Sequence, residues 1–139
     1  MIVKNESATL GRCLGSVREI VDEIIVVDTG SEDGTQGIAQ THGARLIQST
    51  WEHDFSRARN QSLEAATGAW ILVLDADEYL LPGDAAALRE LIALHTGGDG
   101  RASAAFQLVM QDMSADGRPG MLAHITRLFP NRPDVRFEW

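Results

Sequence analysis

Apolar and polar positions along the chain change period several times, and each change marks an element. Residues 1–4 predict a short strand, after which Leu10, Leu14, Val17 and Ile20 recur at the spacing of one helix face. Residues 23–28 read EIIVVD, an apolar run without alternation, as in a strand buried on both faces, and it ends on a carboxylate. TGSEDGT (29–35) supplies turn and capping residues, Ile38 and Ala39 predict a short helix ending near Gly43, and ARLIQ (44–48) predicts a third strand. Residues 56–67 predict a helix with Ala58, Leu63 and Ala66 on its apolar side and Gly68 as its stop. A fourth buried strand follows over 71–74, then a helix over 85–95 with Pro82 near its first turn. The Gly-rich stretch TGGDGRAS (96–103) marks a change of pattern. Beyond it AAFQLVMQD (104–112) and HITRLF (124–129) predict strands that pair with the sheet edge or with each other, joined by the polar turn SADGRPG (114–120).

Strands alternating with helices imply crossover connections. The expected class is therefore α/β and Rossmann-like, with a mostly parallel central sheet and helices on both faces. In such sheets ligands bind beyond the carboxyl ends of the strands. Asp28 and the acidic run Asp75, Asp77, Glu78 fall at two such ends, so they are expected to face one crevice.

Composition narrows this further. At 139 residues, 44% hydrophobic and 23% charged, the chain is expected to form one globular domain. Its net charge of -8 argues against a nucleic acid polymer as partner, whereas a small anion arriving with a divalent cation remains compatible. Cys13, the only cysteine, falls on the predicted apolar face of a helix and is expected to be a buried thiol. There is no signal-peptide succession and no apolar run near the length of a transmembrane segment. The expected location is cytoplasmic, with the inner face of the membrane as the alternative for a full-length protein.

The acidic run poses the chemical question, because adjacent carboxylates repel unless a cation, a basic partner or solvent relieves them. Asp75 and Asp77 form a D-x-D pair that suits a hard divalent cation with open positions for phosphate oxygens, and a solvated acidic turn is the plain alternative. Asp28 is placed to accept hydrogen bonds from a base or a ribose hydroxyl, while Ser31, Asp33 and Thr35 suit turn chemistry. In residues 54–68, Arg57 and Arg59 offer fixed charge near a diphosphate, and Asp54 and Asn60 offer hydrogen bonds. Equally, Asp54 or Ser56 caps the helix and an arginine pairs with a strand-end aspartate. His53 and His124 lack a second His at ligand spacing and are expected to be structural, as are Trp51 and Trp70, in core or crevice wall. Arg127 is expected either to reach a phosphate or acceptor or to form a surface salt bridge.

MIVKNE, VVDTGSEDGT, the ARN of DFSRARN with Gly68 beyond it, and ILVLDADE, in this order and spacing, resemble the family 2 glycosyltransferases with the GT-A nucleotide-sugar-binding fold. The chain is similar in particular to a bacterial branch that includes lipopolysaccharide core and peptide-modifying glucosyltransferases. The resemblance is close over residues 1 to 80 and loose beyond. It implies that Val3 and Glu6 lie at the nucleotide pocket, that Asp28 holds the uracil, and that Arg59 and Asp75 also belong to the nucleotide site, Asp75 binding ribose or supporting the metal. It implies that Asp77 coordinates Mn2+ or Mg2+. The implied reaction moves a sugar, with inversion, from a nucleotide donor, usually a UDP-sugar, to an acceptor hydroxyl of a saccharide, lipopolysaccharide or peptide.

The family places its catalytic base well beyond the D-x-D strand, and residues 112 to 139 hold no motif that matches it. Glu138 is the weak candidate that remains beside Asp112 and Asp116. The expectation is a catalytic-domain fragment, 1–95 binding the nucleotide and 96–139 forming a partial acceptor side, truncated at its C-terminus. Two other classes fit ILVLDADE. One is a haloacid-dehalogenase-like, Mg2+-dependent phosphatase with Asp75 as nucleophile and Asp77 as acid, and the other is a nucleotide-binding module without turnover.

Overall fold

A computed structural model of the chain describes residues 1–114 and 116–138; Ala115, inside the predicted 114–120 turn, and Trp139 lie outside them. Strands β1 (Ile2–Val3), β2 (Ile25–Asp28) and β3 (Arg45–Gln48) form a parallel sheet in that order. Parallel neighbours need crossovers, supplied by α1 (Leu10–Val17) and α2 (Thr35–Thr41). All four residues of β2 are buried, which accounts for a sequence without alternation. Helix α1 buries Leu10, Cys13, Leu14 and Val17, one stripe of a 3.6-residue period.

Val3, Leu10, Leu14, Val26, Ala39 and Ala76 pack into one cluster that joins β1, α1, β2, α2 and the segment after the fourth strand. Full burial of an aliphatic side chain contributes about 1.5–3 kcal/mol. An exposed ion pair such as Arg132–Asp134 contributes about 0–1 kcal/mol, so the apolar cluster decides the fold. Cys13 is buried beside it, as expected. Its thiol donates to the Asp75 carbonyl at 3.4 Å, and burial pushes its pKa up to about 12, so it stays protonated.

Helix α3 (Phe55–Ala65) begins at Asp54, whose carboxylate accepts the Arg57 N–H at 2.8 Å. Then come β4 (Trp70–Leu72), α4 (Asp84–Leu94), β5 (Phe106–Met113) and β6 (Pro119–Pro130). These last strands form an antiparallel sheet ordered β4-β6-β5, with Leu72 opposite Leu128 and Val109 opposite His124. Among the described residues no helix is long and apolar enough to cross a membrane.

The α/β class is as expected, and the strand arrangement is more divided than a single mostly parallel sheet. The fourth strand takes its hydrogen bonds from β6 and meets the parallel set through packing, where Met1 and Leu72 close on Cys13, Val17 and Leu74. Of the two pairings foreseen for the last strands, both occur, since β6 lies between β4 and β5. Strand β6 starts at Pro119, earlier than the predicted His124, because the chain turns tightly at Gly117 (φ 78°) and Pro119 then pairs with Met113. Helix α4 spans Asp84–Leu94, within one residue of the expected 85–95, and follows Gly83 at φ 98°.

One polar tie fastens the start of β2 to the junction of α3 and β4. A carboxylate oxygen of Glu23 accepts the Thr67 hydroxyl at 3.0 Å and the Gly68 N–H at 2.9 Å, with the Thr67 N–H on the same atom. Desolvation raises the Glu23 carboxyl, and these bonds outweigh it, so its pKa lies below the usual 4.5. A depressed carboxyl contributes stability that is present above its unfolded value and is lost as pH falls through the folded one. Glu23→Ala is therefore expected to lower the thermal midpoint at about pH 6, and the gap to wild type should narrow as the solution is acidified below 4.5. A gap that stays constant through the acid range would contradict the tie.

Candidate functional site

The carboxyl end of β2 delivers Asp28 into a turn that closes on it. Gly30, at φ 102°, adopts a backbone conformation that side chains disfavour, and this brings Ser31 back toward the strand end. The Ser31 N–H then reaches the Asp28 carboxylate at 3.2 Å, the Ser31 hydroxyl donates to it as well, and Gln36 Nε2 donates at 2.7 Å. Asp28 is only 1% exposed, so these donors stand in for water around its charge. The same loop grips the end of β1. Thr35 Oγ1 accepts the Glu6 N–H at 2.8 Å, Asp33 accepts the Ser7 N–H at 3.1 Å, and Ser31 Oγ accepts the Asn5 N–H at 2.9 Å. Thr35 donates to Asp33, which holds that carboxyl well below the ordinary range although it is exposed. Ser31, Asp33 and Thr35 thus do turn work, while α2 itself begins at Gly34 without a side-chain cap.

The acidic run lies past β4, where the ladder to β6 continues through the Val73 N–H to the Arg127 carbonyl at 2.8 Å. That pairing brings a basic side chain to the carboxylates. Arg59, from the second turn of α3, donates to Asp75 Oδ1 at 2.7 Å, and Arg127 Nη2 donates to Asp75 Oδ2 at 3.1 Å. The same Nη2 pairs with Glu78 Oε1, and Glu78 Oε2 accepts the Asp75 N–H at 2.8 Å. Two arginines therefore answer two of the three carboxylates. The third, Asp77, is exposed and makes no hydrogen bond or ion pair among the described residues. Desolvation raises the Glu78 carboxyl despite Arg127.

Arg127 is buried, its side chain 6% exposed, so the expectation of a surface salt bridge gives way to a buried one. Its position on β6 explains this, because the neighbouring Leu128 and Phe129 are core residues. Its Nε is buried with no hydrogen bond among the described residues, a cost of about 1–3 kcal/mol. The other sequence-named residues divide. Val3 places its side chain in the core, and its carbonyl at the strand end accepts from Thr29. The Glu6 carboxylate accepts the Thr9 hydroxyl at 3.1 Å. Arg57 pairs with Glu52, away from the acidic run. Asn60 holds both the carbonyl (2.9 Å) and the N–H (3.0 Å) of Phe137, which docks the chain end on α3. Glu138 is exposed in a groove with Asp54, Ser56, Asn60 and Glu64, a lining that includes neither Asp75 nor Asp77. Trp70 donates to the Thr96 hydroxyl at 2.9 Å and stacks on Phe106, and Trp51 lies edge-on to Phe55. His124 is exposed on β6, and His53 is exposed in a loop at φ 59°.

Among the described residues no three His, Cys, Asp or Glu side chains converge as a metal cage. What the site offers a divalent cation is the free Asp77 carboxylate beside the arginine-held Asp75. That donor set suits an ion taking one or two protein carboxylates and completing its shell with phosphate oxygens and water.

Comparison with known proteins matches residues 1–100 to the model of glycosyl transferase family 2. A TPR repeat-containing protein of Synechococcus elongatus is 46% identical over 99% of this chain, which spans 32% of that protein. The SPbeta prophage-derived glycosyltransferase SunS of Bacillus subtilis is 42% identical over 55% of this chain and 19% of its own length. The chain thus spans about a third or less of these relatives. Among solved structures, Mycobacterium tuberculosis glucosyl-3-phosphoglycerate synthase in complex with UDP superposes with a TM-score of 0.54 at 28% identity, over 70% of this chain and 39% of that one. The same synthase with Mn2+ and UDP-glucose gives 0.50 at 29% identity, over 56% of this chain and 32% of that one. Staphylococcus aureus TarS shares the fold, with a TM-score of 0.60 at 20% identity over 94% of this chain and 45% of that one.

Removing the buried cation should be costly. Arg127→Met leaves Glu78 without a counter-charge beside an Asp75 held by Arg59 alone, and the expected loss of stability in urea unfolding is roughly 3 kcal/mol. A change under about 0.5 kcal/mol, the range of an ordinary surface substitution, would contradict the buried bridge.

Proposed function

Because the chain belongs to glycosyl transferase family 2, we propose that it is the nucleotide-sugar-binding part of a glycosyltransferase. The observation that carries this reading is the division of labour in the acidic run: Asp75 and Glu78 are neutralised by Arg59 and Arg127, and Asp77 is left exposed and unpaired. A solvated acidic turn would not need a buried arginine. A site for a cation and a diphosphate needs one carboxylate free and its neighbour held still.

In this reading the donor is a UDP-sugar, and support comes from the mycobacterial synthase solved with UDP and with Mn2+ and UDP-glucose. Asp77 holds Mn2+ or Mg2+, which when bound offsets charge on the diphosphate as it departs. Asp28 receives the uracil at the end of β2, and Arg59, its side chain 25% exposed, gives the diphosphate a cation it can reach. Asp75 serves the ribose or steadies the metal carboxylate. The sugar's anomeric carbon leaves the diphosphate oxygen and bonds to an acceptor hydroxyl on a saccharide, lipopolysaccharide or peptide, with inversion. The acceptor proton goes to a carboxylate base. The phosphatase alternative leaves the Asp28 turn without a role, whereas the glycosyl transferase family 2 match runs through it.

Calorimetric titration of UDP with Mn2+ and with EDTA tests this. Asp77→Asn is expected to weaken the metal-dependent binding by about one to a few kcal/mol, since a charged ligand to the cation is removed. Equal affinity in the variant would count against the metal role. Asp28→Ala is expected to lower UDP affinity with or without metal, and untouched uridine binding would contradict the uracil role.

A further inference from the structure

Glu78 closes the turn that presents Asp77, and it does so from both ends of its carboxylate. Its backbone N–H donates to the Asp75 carbonyl at 3.0 Å, an ordinary four-residue turn bond. Its side chain adds more. Oε2 accepts the Asp75 N–H at 2.8 Å, and Oε1 takes Arg127 Nη2, the same nitrogen that holds Asp75 Oδ2 at 3.1 Å. Asp75 is thereby fixed at its main chain and at its carboxylate by one closed ring. Between them Ala76 is buried in the main cluster, so the turn cannot roll, and Asp77 is left facing solvent. The backbone bond alone would make the turn. Placing a half-buried carboxylate beside Asp75 is worthwhile only where the orientation of the turn matters.

We infer that Glu78, acting through Arg127 and Asp75, is a positioning residue for the metal–diphosphate site at Asp77. The inference rests on the nucleotide-sugar reading and extends it to a residue whose own carboxylate does not reach the ligand. Outer partners that orient a metal's carboxylate ligands typically change metal affinity by roughly 10- to 100-fold when removed.

The test is the gain in UDP affinity on replacing EDTA by Mn2+, measured by calorimetry for wild type, Glu78→Ala, Glu78→Gln, Asp75→Asn and Asp75→Asn/Glu78→Ala. Glu78→Ala is expected to reduce that gain by roughly 10-fold or more while leaving the EDTA affinity within about twofold. Glu78→Gln, which still offers an oxygen to the Asp75 N–H, should recover part of the gain. The double variant should be no worse than Asp75→Asn, as expected of two residues acting through one ring. An unchanged gain in Glu78→Ala, or equal losses with Mn2+ and with EDTA as a merely structural lesion would give, overturns the inference while the parent reading stands. Should Glu78→Ala not fold, the same ratio in Glu78→Gln decides. A wild-type chain whose UDP binding ignores Mn2+ overturns the parent reading and this one with it.

Discussion

Everything at the acidic strand end depends on Arg127 bridging Asp75 and Glu78. Three carboxylates within four residues repel, and this guanidinium, carried on a strand 52 residues away, is buried where the repulsion is greatest. Arg59 relieves the other side of Asp75 from α3. The price is a buried Nε with no hydrogen bond among the described residues. The return is selectivity of charge: the bridge leaves Asp77 as the one unpaired carboxylate of the run, so a cation is drawn to a single position.

The fold exists to make that bridge possible. A strand buried on both faces, β2, needs cover on each: α1 and α2 pack around Val26, and α3 also lies against the strand. Their connections bring Asp28 and the β1 end together through Ser31, Asp33 and Thr35. On the other side β6 must run antiparallel to β4, because only that pairing sets the Arg127 carbonyl on the Val73 N–H and the Arg127 side chain beside Asp75. Leu63, Ile71, Val73 and Phe129 pack across this junction, so the polar bridge rests on an apolar support. The metal-binding reading and the folding of residues 106–130 are thus linked, although the family match ends at residue 100.

Much of this was legible from the residues alone. The unbroken EIIVVD run, the helical spacing of Leu10, Leu14 and Val17, and the Asp54 cap are local signals, and local physics placed them correctly. The pairing of an arginine with a strand-end aspartate was also foreseeable from charge. What local pattern could not convey was partner choice at long range. Strand β4 reads like its parallel neighbours yet pairs with β6, because an apolar run does not specify which strand it meets. Glu78 carried no assignment for the same reason, since its partner lies beyond a hairpin. One clue was present. Arg127 interrupts an apolar strand, and a charge that must be buried needs a carboxylate partner. Asn60 shows the converse: it reads as a ligand donor and instead anchors Phe137, a contact 77 residues distant.

The most direct measurement is paramagnetic broadening of amide signals in the isotopically labelled chain, with saturating UDP and trace Mn2+. If the cation sits at Asp77 against the diphosphate, the amides of residues 75–78 broaden first and those of residues 28–31, near the base, are perturbed by UDP alone. Broadening centred on the β5–β6 hairpin or on the groove beside Glu138, with residues 75–78 untouched, would contradict a nucleotide-sugar site at this strand end.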